Sequence, residues 1–203
     1  MSTVIRKTKT RAICPYLILG LERSATRLEV ETAYWRLQEA LDEGRFLHSP
    51  QAWVQAGQAL MEVENAYQRI LQGDYNESDE SAAEPFWPKL GQILIAAGKI
   101  NIRQLHDAIA EQEAEHQPLG EILKKKNLIS EDELSAFLSS QDLIHLPDDS
   151  PYISGLRLIG LRIVPEDMVC IALIEYCDFN TNIESNLMDR GWLSPEVLDA
   201  IKF

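Results

Sequence analysis

The stretch KLGQILIAAGKINIRQLHDAIAEQ, Lys89 to Gln112, is followed after a five-residue spacer by PLGEILKKKNLISEDELSAFLSSQ, Pro118 to Gln141, and the two are nearly the same text. Leu90, Gly91, Ile93 and Leu94 recur 29 residues on as Leu119, Gly120, Ile122 and Leu123. Ile100, Leu105, Ile109 and Gln112 recur as Ile129, Leu134, Leu138 and Gln141. Agreement at one fixed step, across several residue types, is a repeat and not a bias of composition.

Each copy has a physical parse. Leu90, Ile93, Leu94 and Ala97 stand at i, i+3, i+4 and i+7, the spacing of a short amphipathic helix, and Gly98 just beyond suits a left-handed cap. Asn101 with Gln104, and Ser130 with Glu133, form capping boxes for a second helix. Leu105, Ala108, Ile109 and Gln112 are expected to face inward from it. The unit is a helix–turn–helix hairpin, clear at 89–112 and 118–141.

Two degenerate units follow. From about 153 to 176 the series Gly155, Leu158, Val164, Val169 and Leu173 tracks the template, with Arg162 at the glycine position. From 182 to 203 the series Ile183, Leu187, Gly191, Leu193 and Leu198 tracks it better, and Ser194-Pro195 makes a good helix start. The repeats therefore occupy 86–203.

Upstream, residues 73–85, GDYNESDESAAEP, carry five acids, no base and no periodic apolar pattern, which reads as an acidic linker. Before it, Val30, Ala33, Tyr34, Leu37 and Leu41, then Trp53, Gly57, Leu60, Val63, Tyr67 and Leu71, recur at helical spacing and predict two antiparallel helices within 14–72. Cys14 to Leu21, CPYLILGL, is expected as an apolar turn across that hairpin. Residues 1–13 form a basic arm with Arg6, Lys7, Lys9 and Arg11. The fold class is mainly α.

The bulk composition restricts function. With 203 residues, 45% hydrophobic and 25% charged, the chain has a globular composition, and no apolar run reaches the ~20 residues of a membrane span. No apolar segment follows the basic arm as in a signal peptide, so a cytoplasmic protein is expected. The net charge of −13 opposes a phosphate backbone, which argues against nucleic acid as a partner. Cys14, Cys170 and Cys177 have no CxxC spacing, and Cys170 and Cys177 are expected on one helix face as small apolar residues. No phosphate loop, nucleophile elbow or metal spacing is present; His106, His116 and His145 are dispersed, and Asp148-Asp149 falls in a proline-bounded loop. A non-enzyme with no required cofactor and no metal is the expectation.

PYLILGL, ATRLEVETAYWRL and MEVENAYQRIL together resemble the J-domain of DnaJ-type co-chaperones. That family stimulates its chaperone ATPase through a His-Pro-Asp tripeptide, and those positions here hold Asp42, Glu43 and Gly44. Its basic second helix is replaced by one with Glu29, Glu31, Glu39 and Asp42 against Arg27 and Arg36. The resemblance thus implies a degenerate J-like fold without co-chaperone activity. His48-Ser49-Pro50 lacks the aspartate and reads as a plain turn.

Residues Lys89 to Gln141 resemble the MshEN family, the N-terminal domain of type II secretion and type IV pilus assembly ATPases, in their Leu-Gly start, branched apolar pair, leucine ladder and closing glutamine. DLIHLPDDSPY, which follows, is similar to the family's strand-like exit. The tandem motif of that family can bind cyclic di-GMP. Carried across, the resemblance implies contacts from Lys89, Leu90, Gly91, Leu94, Gly98 and Gln112, then Leu119, Gly120, Leu123 and Gln141. Helix-start N–H groups would meet phosphate, the leucines would bed guanine, and a glutamine would read a base edge. Pro118 stands where the second motif wants its basic residue, Asn127 where it wants glycine, and Glu121 adds a negative charge. Two functions follow as expectations: an adaptor for protein partners, such as those of a pilus or secretion machinery, and a cyclic di-GMP receptor.

Overall fold

The structure is a computed structural model that describes residues 13–74, 88–141, 150–179 and 181–202. Residues 1–12 of the basic arm, nearly all of the acidic linker and residues 142–149 of the exit, with His145, Asp148 and Asp149, fall outside these residues, while the last three residues of the exit, expected as strand-like, begin a helix. Among the described residues all regular structure is helical.

The N-terminal part begins with a short helix, α1 (Pro15–Leu19), where a turn was expected. Proline at its first position fits a helix start, and Gly20, at φ 75°, closes it in the left-handed region. The antiparallel pair α2 (Arg27–Ala40) and α3 (Pro50–Gln72) follows, joined through a 3-10 turn at Glu43–Phe46. Thr26 and Glu29 form a capping box at the start of α2. Ser49 and Pro50 are the N-cap and first residue of α3, so the His-Ser-Pro segment is a helix start. Val30, Ala33, Leu37, Ala52, Ala56, Ala59 and Val63 fill the space between the helices. Tyr34 stacks on Tyr67 with centroids 4.1 Å apart and donates its hydroxyl to Glu64. That bond to a carboxylate pushes the phenol up to about 12 and holds Glu64 below the usual carboxylate range.

The repeats supply α4 (Leu90–Ala96) with α5 (Ile102–Glu115), α6 (Leu119–Lys125) with α7 (Glu131–Gln141), α8 (Ser150–Gly160) with α9 (Glu166–Phe179), and α10 (Ile183–Asp189) with α11 (Pro195–Ile201). One device builds all four. Gly98, Asn127, Arg162 and Gly191 have φ of 68°, 55°, 54° and 69°. In each case the following N–H returns to a carbonyl five residues back, Lys99 to Leu94, Leu128 to Leu123, Ile163 to Leu158 and Trp192 to Leu187, at 2.8–3.1 Å. These are Schellman caps. Arg162 shows that the third unit, weakest in sequence, keeps the turn although a Cβ disfavours that backbone.

The two parts share one hydrophobic core. α11 packs on α2 and α3, and α1 touches α8. Gln55, buried on α3, donates from Nε2 to the carbonyls of Ile163 (3.1 Å) and Trp192 (2.8 Å) and accepts from the Ser194 N–H (3.0 Å). Arg157 donates to the carbonyls of Ile18 (3.4 Å) and Ile201 (2.9 Å), and its burial lowers the guanidinium pKa to about 10. Arg162 pairs with Glu62 at 2.9 Å.

Two expectations about facing are corrected. Ile109 is 40% exposed and its repeat mate Leu138 is exposed too, because Ala108 and Leu134 are the residues that α5 and α7 bury. Cys170 is buried beside Gln92 while Cys177 is exposed, since seven residues along α9 carry the chain past the edge of its packed face.

Candidate functional site

The motif starts are held by side chains. Gln92 accepts from the Lys89 N–H (2.7 Å), and its amide donates to Asp167 on α9 (2.7 Å). The ammonium of Lys89 reaches the same carboxylate at 3.2 Å. Gln141, the closing residue of the second motif, donates to the carbonyl of Pro88 at 2.7 Å. Lys89 of one motif and Gln141 of the other are thereby neighbours. Gln112 lies instead at the start of the second motif, where it lines a pocket of about 490 Å³ with Glu113, His116, Gln117 and Pro118. Gln141 therefore crosses to the other motif's start, while Gln112 stays among its own sequence neighbours.

Two of the leucines expected to bed a base are not at the surface. Leu94 and Leu123 are both 0% exposed, and they belong to the core under the caps. Leu90 and Leu119 are half-buried. Gly91 and Gly120 are also buried, and both lie inside helices, not in the left-handed region. A Cβ on Gly91 would meet Leu105 Cδ1 at 2.7 Å, and one on Gly120 would meet Leu134 Cδ1 at 2.8 Å. The second helix of each unit thus approaches these glycines closely, a packing reason for a residue without a Cβ. Among the glycines on that expectation, Gly98 has the positive φ, and it opens onto a different pocket.

The second motif differs further. Pro118 is the N-cap of α6 and brings no N–H. Glu121 pairs with Lys124 at 2.9 Å, Lys125 with Glu115 at 2.7 Å, and Lys126 with Glu111 at 2.7 Å. The hydrogen bond from Lys126 holds the Glu111 carboxyl below its ordinary range. The lysine run is thus bound up in ion pairs with acids of α5 and α6, and with Glu131.

A surface that sequence reasoning passed over lies on the N-terminal hairpin. From Pro50 to Met61, PQAWVQAGQALM, α3 has no charged residue, although a quarter of the chain is charged. Its inner side buries Ala52, Gln55, Ala56 and Ala59, while Val54 and Met61, seven residues apart, share the outer side, Met61 at 67% exposure. On α2, Leu28 and Trp35 repeat that spacing, with Trp35 66% exposed. The missing charge was the available signal. Where the tripeptide of a J-domain would stand, Asp42 accepts from the Gly44 N–H (2.9 Å) and caps the 3-10 turn.

Among the described residues no group of three or more His, Cys, Asp or Glu side chains is placed to hold a metal ion. No helix among them is long and apolar enough to cross a membrane. No protein-family model, curated protein or solved structure matches the chain.

Proposed function

We propose that this chain is a non-enzymatic adaptor that holds partner proteins on its helical surfaces. The observation that carries the reading is the outer side of the hairpin: the uncharged stretch 50–61 of α3 exposes Val54 and Met61, and α2 exposes Leu28 and Trp35, in a chain of net charge −13. Large apolar side chains left in water, on a stretch of helix with no charged residue, are what a protein interface requires. The absence of a metal cluster among the described residues is compatible with this reading and adds nothing to it.

The test is a photo-reactive residue placed at Met61 and, as a control, at exposed Arg103, in cells that express the protein. The adaptor reading expects a discrete protein adduct from Met61 and none of that size from Arg103. Equal adducts at both positions, or none at either, would end it.

Cyclic di-GMP reception is the second reading, and one observation favours it. Lys89 is exposed at a motif start, and Gln141 stands beside it. The burial of Leu94 and Leu123 weighs on the other side. Calorimetry with cyclic di-GMP separates the two: the receptor reading expects binding that Lys89→Ala abolishes and Pro118→Arg tightens, and the adaptor reading expects no heat from any of the three proteins.

A further inference from the structure

One pair of cap turns in this chain holds a polar side chain. Ile163 and Trp192 are the residues just past the left-handed position in the third and fourth units, and Gln55 bridges their carbonyls while Ser194 donates back to it. Residues at the caps of the first and fourth units, Gly98 and Lys99 with Arg190 and Trp192, line a pocket of about 480 Å³ among the described residues. Its volume is in the range of about 300–1,000 Å³ typical of ligand sites.

The lining has a definite chemistry. Ile95 and Ile102 provide aliphatic wall, Trp192 provides an indole, and Asn101 provides an amide. The charged residues lining it are two cations, Lys99 and Arg190, in a chain with 32 acids against 19 bases. Arg190 is fixed: its guanidinium lies 5.0 Å from the Trp192 ring centroid, Nε donates to Glu175 at 3.0 Å, and Nη2 donates to the Ile95 carbonyl at 3.2 Å. Lys99 pairs with Glu133 at 2.7 Å and is exposed. Glu175 and Glu133 pair with these cations from outside the lining, so the charged side chains facing the pocket are Lys99 and Arg190, each already half of an ion pair. In the filled pair of caps an uncharged amide suffices; here the two cations select a carboxylate.

We propose that this pocket takes an acidic side chain flanked by an aliphatic one, presented by a peptide segment of a partner protein. The carboxylate meets Lys99 and Arg190, and the aliphatic neighbour lies on Ile95 and Ile102. The pocket shares no residue with the outer side of the hairpin, so this proposal and the adaptor surface above can fail separately.

The experiment titrates the full chain, labelled with nitrogen-15, with acetyl-Leu-Glu-Leu-amide and, in parallel, with acetyl-Leu-Gln-Leu-amide. The signals followed are the amides of Gly98 and Ile102 and the indole of Trp192. The acidic peptide is expected to move these signals, and its amide counterpart to bind more weakly by on the order of tenfold, the ratio a charge-assisted bond confers over a neutral one. Lys99→Glu should weaken the acidic peptide by a similar factor, and so should raised salt. Ile102→Glu, on the pocket wall and away from the Lys99 ion pair, is the second variant if the first disturbs the fold. Equal affinity for both peptides, shifts confined to other residues, no shifts at millimolar peptide, or a folded variant that binds as tightly as the wild type would each overturn the proposal.

Discussion

Gln55→Leu is the substitution that most sharply probes how the hairpin and the repeats are joined. The side chain is buried and makes three hydrogen bonds across the junction, to Ile163, Trp192 and Ser194, at 2.8–3.1 Å. Leucine has nearly the same volume, so the main loss is polar: three bonds at about 1 kcal/mol each, with backbone groups left buried and unpaired. The expected destabilisation is about 2–4 kcal/mol. For a chain of this size that is a fall in melting temperature of roughly 5–15 °C. Calorimetry measures it, and hydrogen exchange locates it. Amides of α3 and of α9 should lose protection together, because the core runs through both parts. A loss below about 0.5 kcal/mol, or loss of protection in one part alone, would refute the reasoning.

Further outcomes are expected from the repeats. Gly91→Ala and Gly120→Ala each place a methyl within 3 Å of a leucine end and should cost about 1–3 kcal/mol, read by urea unfolding; Leu105→Ala should recover part of the loss in the first case and not in the second. Arg162→Gly relieves a left-handed arginine at the price of its Glu62 ion pair, and is expected to leave stability unchanged or raise it by up to about 1 kcal/mol, whereas Gly98→Ala, with open space but φ 68°, should lower it by about 1 kcal/mol. Glu133 is held at about 2 by Lys99 and by the Ser130 N–H. A carboxylate depressed in the folded state contributes stability above its unfolded pKa and loses it as pH falls, so the melting temperature should decline from about pH 5 towards pH 2, and less steeply in Lys99→Ala.

The elements visible in sequence are those whose signals are local. Asn101 with Gln104, and Ser130 with Glu133, are capping boxes in the structure as in the text, because a cap involves only residues three apart. Gly98 was readable as a left-handed residue for the same reason. Arg162 was not, since nothing in an arginine announces that backbone; its geometry comes from the packing of Leu158, Val164 and Val169, which match the template. Gly91 and Gly120 were legible as special, but the reason the structure adds was not. The constraint on them is the side chain of the next helix, which periodicity does not reveal. The clasp of Gln55 joins residues more than a hundred positions apart and leaves no mark in either neighbourhood. Of the candidate contacts, Lys89 and Gln141 are brought together, while Leu94 and Leu123 are in the core, because a leucine at a repeat position serves the same periodicity whether it faces a ligand or the next helix.

The most direct test of the central claim is the adduct formed from a photo-reactive residue at Met61, compared in the wild-type background and with Val54→Glu added. Both positions are on the outer side of α3 and outside the core, so the added charge should leave the fold intact. The account predicts a discrete protein adduct in the first protein and its loss in the second, with unchanged circular dichroism. An adduct of equal yield in both would contradict it, and the outer side of the hairpin would not be where this chain holds its partner.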